Sequence, residues 1–404
     1  MTDTRLAGAD FVRAVACTMV VGSHIAQRIS PNVLPGWGKT AQLIWMMGTF
    51  GVGAFFVLSG YLLARPFWVA LGGGEALPSL RTYWLRRAAR ILPGFYLALT
   101  VTFVLSFTLL QFPLDATLVG RYVAGLLLVA DFYWLTWFPV EFNGPLWSIG
   151  CEITSYVLLP VGLAAIFVLP LRGWPARIAW LAILVTIVGV QILVVRYLQP
   201  DSFHRSWDYG IVGGAKVWMP NYSPVGFFAI FALGALAAGL QTMLARYRAF
   251  WFDLLALAGI AVIAWSFRAH FPDVDSFGIA KIPYAFPEFP IGVALILIGV
   301  PSSVLLPRLT EIAPVAFLAR ISFGIYVWHF LLLECVRVLY QPQFGYWGMV
   351  DIGQWAGLSA AVVIAAIIVA TTSYYLLEAP IIRWARGLER QPIANAPTLS
   401  PAAG

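Results

Sequence analysis

The sequence reads as an all-α polytopic membrane protein, and three observations say so. Of its 404 residues, 61% are hydrophobic and only 11% charged, where soluble domains run near a quarter charged. Apolar stretches of about 20 residues, the length that crosses a bilayer as a helix, recur almost to the C-terminus. Basic residues gather in alternate connecting loops, as the positive-inside rule requires of a multi-pass chain.

Eleven apolar segments follow in order: 9–28, 41–64, 91–112, 118–137, 147–170, 178–199, 223–242, 252–270, 285–306, 321–340 and 354–378. The first lacks a small-residue cleavage site and is expected to stay as a helix rather than leave as a signal peptide. The loop 65–90 holds five arginines and is expected to be cytoplasmic. That places both termini inside, the tail carrying Arg383, Arg386 and Arg390. Eleven crossings would separate the ends, so one segment must not cross. Segment 118–137, interrupted by Arg121 and Asp131, is the one expected to fail. The expectation is about 10 transmembrane helices plus this non-spanning segment, in the cell inner (cytoplasmic) membrane. One membrane domain covers 1–385, and a short tail, 386–404, is expected to be disordered.

The net charge of +7 fits cytoplasmic loops facing membrane lipids better than nucleic acid as a partner. Three cysteines, Cys17, Cys151 and Cys335, lie inside apolar segments and suggest neither a disulfide frame nor a metal site. There is no P-loop, no dinucleotide fingerprint and no HExxH motif. The "VLSGY" around Ser59 lacks the pattern of a hydrolase elbow. Nothing in the sequence sets an oligomeric state.

Four stretches carry ionisable side chains where a span should be apolar, and such groups usually face a bundle interior or cavity. In the first span, Arg13 and His24 are eleven residues apart, about three helical turns and roughly 16 Å, on one stripe. Asp10 stands three residues before Arg13, within reach of a pair. Histidine exchanges a proton near neutral pH and suits general-base work. Gly22 and Ser23 beside it are expected to leave room for a reacting group. In "RTYWLRRAARILPGFY", Arg87 and Arg90 share a helix face and can grip phosphate. In "EFNGPLWSIGCEITSYVLLP", Glu152 follows Trp147 and Ser148 and can orient a histidine or bind a sugar hydroxyl. In "ISFGIYVWHFLLLECVRVLY", His329 lies mid-span, and Glu334 and Arg337 are spaced as an i,i+3 pair. Glu378 ends the last segment, within reach of the tail arginines. The polar loop 200–222 mixes Asp, His, Arg, Trp and Tyr, a composition fit for a sugar or for an ordinary interfacial loop.

From the residues alone, two functions stay open. One is an enzyme that uses His24 as a base. The other is a proton-coupled transporter or flippase of a lipid-linked sugar, with His24 and Glu152 on a proton path. Transporters often show internal repeats, and none is visible. A membrane scaffold leaves His24, Arg87, Arg90 and Glu152 without a purpose.

Taken together and in this order, the stretches resemble acyltransferase family 3 of integral membrane proteins. The resemblance rests on Asp10, Arg13 and His24, on "FFVLSGYLL" from Phe55 to Leu63, and on Arg87-x-x-Arg90 before "ILPGFY". It continues through Trp147-Ser148 with Glu152 and Ser322 to His329, and covers about residues 5–385. It implies transfer of an acyl group, commonly acetyl, from cytoplasmic acyl-CoA to a hydroxyl of an extracytoplasmic glycan, lipid-linked sugar, peptidoglycan or glycoside. His24, Arg13 and Glu152 are then the expected catalytic residues. Arg13, Arg87 and Arg90 are expected to bind the acyl-CoA (acetyl-CoA) co-substrate, without a metal. Asp10, Trp147, Ser148 and His329 are expected at the acceptor. Many relatives have a second acid after Glu152; here it is Ile153. Some relatives fuse an esterase-like domain; this sequence ends at Gly404, so transfer is expected to be direct or finished by another protein.

Overall fold

The computed structural model describes residues 6–169, 171–271, 273 and 276–389; Arg5, Arg390 and the tail 391–404 lie outside them. Among the described residues there is no β-strand, only two isolated bridges. Nine helical runs among the described residues are long and apolar enough to cross a membrane. They are α1 (Ala9–Ala26), α2 with α3 (Gly36–Met46, Gly51–Gly73), α4 (Leu80–Thr108), α6 (Trp147–Val168), α7 (Gly173–Tyr197), α9 (Pro224–Leu244), α10 (Phe250–Ala269), α13 (Ala313–Leu339) and α14 (Ile352–Ser373), which runs through a π-turn into α15 (Ala379–Glu389). Shorter helices are α5 (Ala116–Leu126), α8 (Gly210–Trp218), α11 (Glu288–Gly299) and α12 (Leu306–Thr310).

The 118–137 segment does not cross, as expected. Asp115 caps α5 by accepting from the Leu118 N–H at 2.7 Å, and the helix stops after 11 residues, about 16 Å of the roughly 30 Å that a span needs. Arg121 explains the turn. It is 2% exposed and donates to the Phe138 and Val140 carbonyls at 2.7 and 2.8 Å and to Glu141 at 2.7 Å. A guanidinium so satisfied folds its segment back on the following loop.

Segment 285–306 differs from expectation. It forms the 12-residue α11 and one 3-10 turn, about 22 Å, too short for a full crossing by itself. Nine runs rather than the expected ten therefore reach the length of a span among the described residues, and α11 is a shorter apolar helix that α10 holds closely. A Cβ on Gly259 would fall 2.6 Å from the Gly292 carbonyl oxygen.

Small residues let the central helices touch backbone to backbone, the usual device where lipid removes any hydrophobic drive between helices. A Cβ on Gly60 of α3 would sit 1.9 Å from the Phe231 oxygen of α9, and one on Gly234 would sit 2.0 Å from the Val57 oxygen. Helix α1 runs parallel to α13. Cys17 meets the Ser322 carbonyl, His24 meets His329, and Arg28 meets Glu334. The chain offset is 305 or 306 residues at all three contacts, so the two helices climb together.

Two local expectations are corrected. Gly22 leaves no room beside His24, because a Cβ there would strike the Trp45 ring at 2.3 Å. Gly22 seats α2 on α1, and Ser23 is buried and donates back to the Val20 carbonyl at 2.7 Å. Glu378 does not reach Arg383 or Arg386. It is 1% exposed, accepts from Ser373 at 3.3 Å and lies within electrostatic reach of Arg90. Helix α15 carries ordered structure to Glu389, four residues beyond the expected domain end, where Glu389 takes two hydrogen bonds from Arg86.

Candidate active site

Parallel packing of α1 and α13 brings two histidines together. His24 Nδ1 and His329 Nε2 are 2.9 Å apart. His329 is fully buried, and its Nδ1 lies 2.8 Å from the Tyr326 carbonyl and 3.0 Å from that of Ile325. A carbonyl only accepts, so His329 carries its proton on Nδ1. Its Nε2 then has a lone pair, which takes the proton of His24 Nδ1. The chain of bonds leaves His24 Nε2 unprotonated, the state of a base. Phe330 packs edge-on against the His24 ring at 5.0 Å.

His24 lines a cavity of about 740 Å³, within the size range of small-molecule sites. Its walls are aromatic, with Trp147, Trp207, Trp218, Tyr222, Tyr284 and Tyr326 among the lining residues. Trp147 stacks on Trp137 at 4.6 Å, and Trp218 stacks on Tyr222 at 4.8 Å. The 200–222 loop therefore reaches the site. Lys216 fastens it, bonding Asp201 at 2.6 Å and the Phe203 carbonyl at 2.7 Å and lying 4.2 Å from the centre of the Trp134 ring. The ammonium beside Asp201 holds that carboxyl below its usual range.

A second cluster forms toward the other end of α1. Arg13 pairs with Asp10 at 3.3 Å and lies within electrostatic reach of Arg87 and Arg90 of α4. Glu152 is close to Arg13 and Arg87. It accepts from Ser59 at 2.9 Å and from the Tyr156 hydroxyl. The Nε atoms of Arg65 and Arg87 are buried without a hydrogen-bond partner among the described residues. Buried donors without acceptors are uncommon and fit a cluster that awaits an anion. No group of three or more His, Cys, Asp or Glu side chains that could hold a metal occurs among the described residues.

The structure thus sorts the expected residues into two groups. His24 and Trp147 line the cavity; Arg13, Arg87, Arg90, Asp10 and Glu152 gather at the other cluster. Arg13 does not approach His24, since both lie on one unbroken helix, about 16 Å apart along it. Glu152 orients no histidine; its partners are two hydroxyls. His329 does not reach the cavity but stands behind His24. Ser148 is 3% exposed and bonds the Tyr326 hydroxyl at 2.6 Å and the Pro145 carbonyl at 3.2 Å, so its hydroxyl is spent within the protein. Glu334 and Arg337 do pair, at 2.6 Å. Reading the sequence alone misses Tyr326 and Tyr156, each an ordinary hydroxyl in an apolar run, and takes Ser59 only as part of a motif, without its bond to Glu152. It also misses Arg28, whose position four residues after His24 was the available signal.

The described residues thus give a multi-pass helical protein with a histidine on the wall of an aromatic cavity and an arginine cluster about three helical turns away along α1. The family described as Acyltransferase domain matches residues 6–375. This chain belongs to that family, acyltransferase family 3, and is a membrane acyltransferase. It is 25% identical to the acyltransferase MdmB of Streptomyces mycarofaciens over 97% of this chain and 95% of that protein. It is 24% identical to the O-acetyltransferase OatA of Staphylococcus aureus over 78% of this chain, spanning 53% of that longer protein. No solved structure matches it.

Proposed function

We propose that the protein is an O-acetyltransferase that moves an acetyl group from cytoplasmic acetyl-CoA to a hydroxyl of an extracytoplasmic glycan or glycoside. The observation that supports this best is the His329–His24 bond, which sets the tautomer of a base at the cavity floor. Arg13, Arg87 and Arg90, joined by Arg65, hold the phosphates of the donor. The pantetheine arm runs along α1 toward His24. The acceptor enters the aromatic cavity from the other side, its sugar faces against tryptophan and tyrosine rings.

His24 Nε2 takes the proton of the acceptor hydroxyl as that oxygen attacks the thioester carbon. The new C–O bond forms, the C–S bond breaks, and the thiolate of CoA recovers the proton from His24. His329 stabilises the transient charge on His24 through their shared bond and acts as a positioning residue. Asp10 and Glu152 balance the arginine cluster and hold it in place.

The test uses inside-out membrane vesicles from cells with and without the gene, given radiolabelled acetyl-CoA. Label should enter a glycan or glycoside fraction only where the protein is present, with release of one CoA thiol per acetyl transferred. Uptake of a lipid-linked sugar without thiol release would instead establish the transporter reading.

A further inference from the structure

One turn beyond His24, three charged side chains form an unequal set. Arg28 is 5% exposed, and Glu334 is 7% exposed. Arg28 donates to Glu334 at 2.9 Å and to the Phe344 carbonyl at 3.0 Å. Glu334 also accepts from Nε of Arg337 at 2.6 Å. Two guanidiniums therefore share one carboxylate, and the set carries a net positive charge. Arg28 is buried and its donors are engaged. Arg337 keeps 34% of its side chain exposed, and its terminal amino groups have no hydrogen-bond partner among the described residues.

Glu334 and Arg337 both line the cavity that His24 floors. The other charged lining residue, Glu141, is neutralised by Arg121 at 2.7 Å. The surplus charge of the chamber is thus concentrated on the outer edge of Arg337, whose Cζ lies 6.0 Å from the centre of the Phe142 ring. A guanidinium fork in a partly closed site is shaped for an oxyanion, which it can bind through two parallel hydrogen bonds. The aromatic walls suit the faces of a sugar; a neutral sugar alone would leave the outer edge of Arg337 without an anion.

We propose that Arg337 is a specificity-determining residue for the acceptor, and that the acceptor carries an oxyanion, a carboxylate or a phosphate, beside the sugar that is acylated. This rests on the cavity being the acceptor site, as proposed above. Glu334 and Arg28 act through Arg337, fixing its fork and leaving its outer edge for the ligand.

The test reads binding, so it does not depend on the chemistry at His24. Purified protein in lipid nanodiscs is titrated with methyl β-glucoside, methyl β-glucuronide and glucose 1-phosphate, following the fluorescence of the cavity tryptophans at low salt. The two anions stand for a sugar carboxylate and for a phosphate of the kind that joins a sugar to a lipid. At least one should bind on the order of tenfold more tightly than the neutral glucoside, an advantage that added salt should erode. The anion that wins identifies the source. Arg337→Gln should abolish the preference while leaving glucoside binding in place, and Arg337→Lys should keep part of it. If Arg337→Gln does not fold, the wild-type ratios and the lysine variant decide. Equal binding of all three probes to the wild type, or binding of none, overturns the proposal. Loss of label transfer with the anion preference intact would instead count against the acyltransfer reading alone.

Discussion

His24 differs from an ordinary buried histidine in what stands behind it. A lone ring in a membrane bundle chooses its tautomer freely, whereas here the Tyr326 and Ile325 carbonyls choose it through His329. His329→Gln keeps a polar side chain but breaks the defined relay. It should lower acyl transfer by on the order of a hundredfold, the low end of what a placed general base contributes, with little change in the KM for acetyl-CoA. A comparable rise in that KM would move His329 to the donor side. This much was partly legible in the sequence. A histidine eleven residues from an arginine in an apolar run marks a site, because burying either group unpaired is costly. The partner was not legible, since a contact between residues 305 apart depends on how α13 packs on α1.

At the scale of single helices, close packing decides which glycines matter. Gly60 and Gly234 press onto backbone atoms that cannot move aside. Gly60→Val should therefore separate α3 from α9 and cost more than the roughly 1–3 kcal/mol of typical overpacking, seen as loss of folded protein in mild detergent. Gly22 meets a tryptophan ring that is 47% exposed and can swing outward. Gly22→Leu should then leave activity per folded molecule within about twofold of wild type, since Trp45 moves and His24 does not. A large fall in specific activity at full folded yield would restore the room that the sequence alone suggested. The existence of the long helices and the failed crossing at 118–137 followed from apolar length and from Arg121, but the boundaries did not: α3 runs on to Gly73, α4 starts at Leu80 and α13 at Ala313, because arginine-bearing turns continue the helices past the apolar stretches. The shortness of α11 did not, because segment 285–306 is apolar apart from Glu288, Ser302 and Ser303, and its turns, at Pro287 and at the break Val300–Ser302, trim the helix.

For the whole molecule, the parallel contact of α1 with α13 constrains the path through the membrane. Six long helical runs lie between them: α3, α4, α6, α7, α9 and α10. If each reverses the one before, α13 would run against α1 unless one further segment also reverses the chain. α11, packed on α10, supplies that reversal, and α5 does not. The basic segments at 65–90, 171–177, 243–251 and 307–320, helix ends together with the turns between them, then share a side with the N-terminus, which we propose is the cytoplasm. A reporter fused at residue 175 should give a cytoplasmic signal; an extracytoplasmic signal would invert half the bundle. On the proposed function, the arginine cluster is then the donor side and the aromatic cavity the acceptor side, with α1 joining them. The most direct test of that account is acetyl transfer from acetyl-CoA by purified His24→Ala protein in liposomes, compared with wild type at equal folded yield. The account predicts a loss of about 10²- to 10⁴-fold in turnover, the range of general-base catalysis, with the KM for acetyl-CoA nearly unchanged because Arg13, Arg87 and Arg90 remain. Turnover within a few fold of wild type would contradict it.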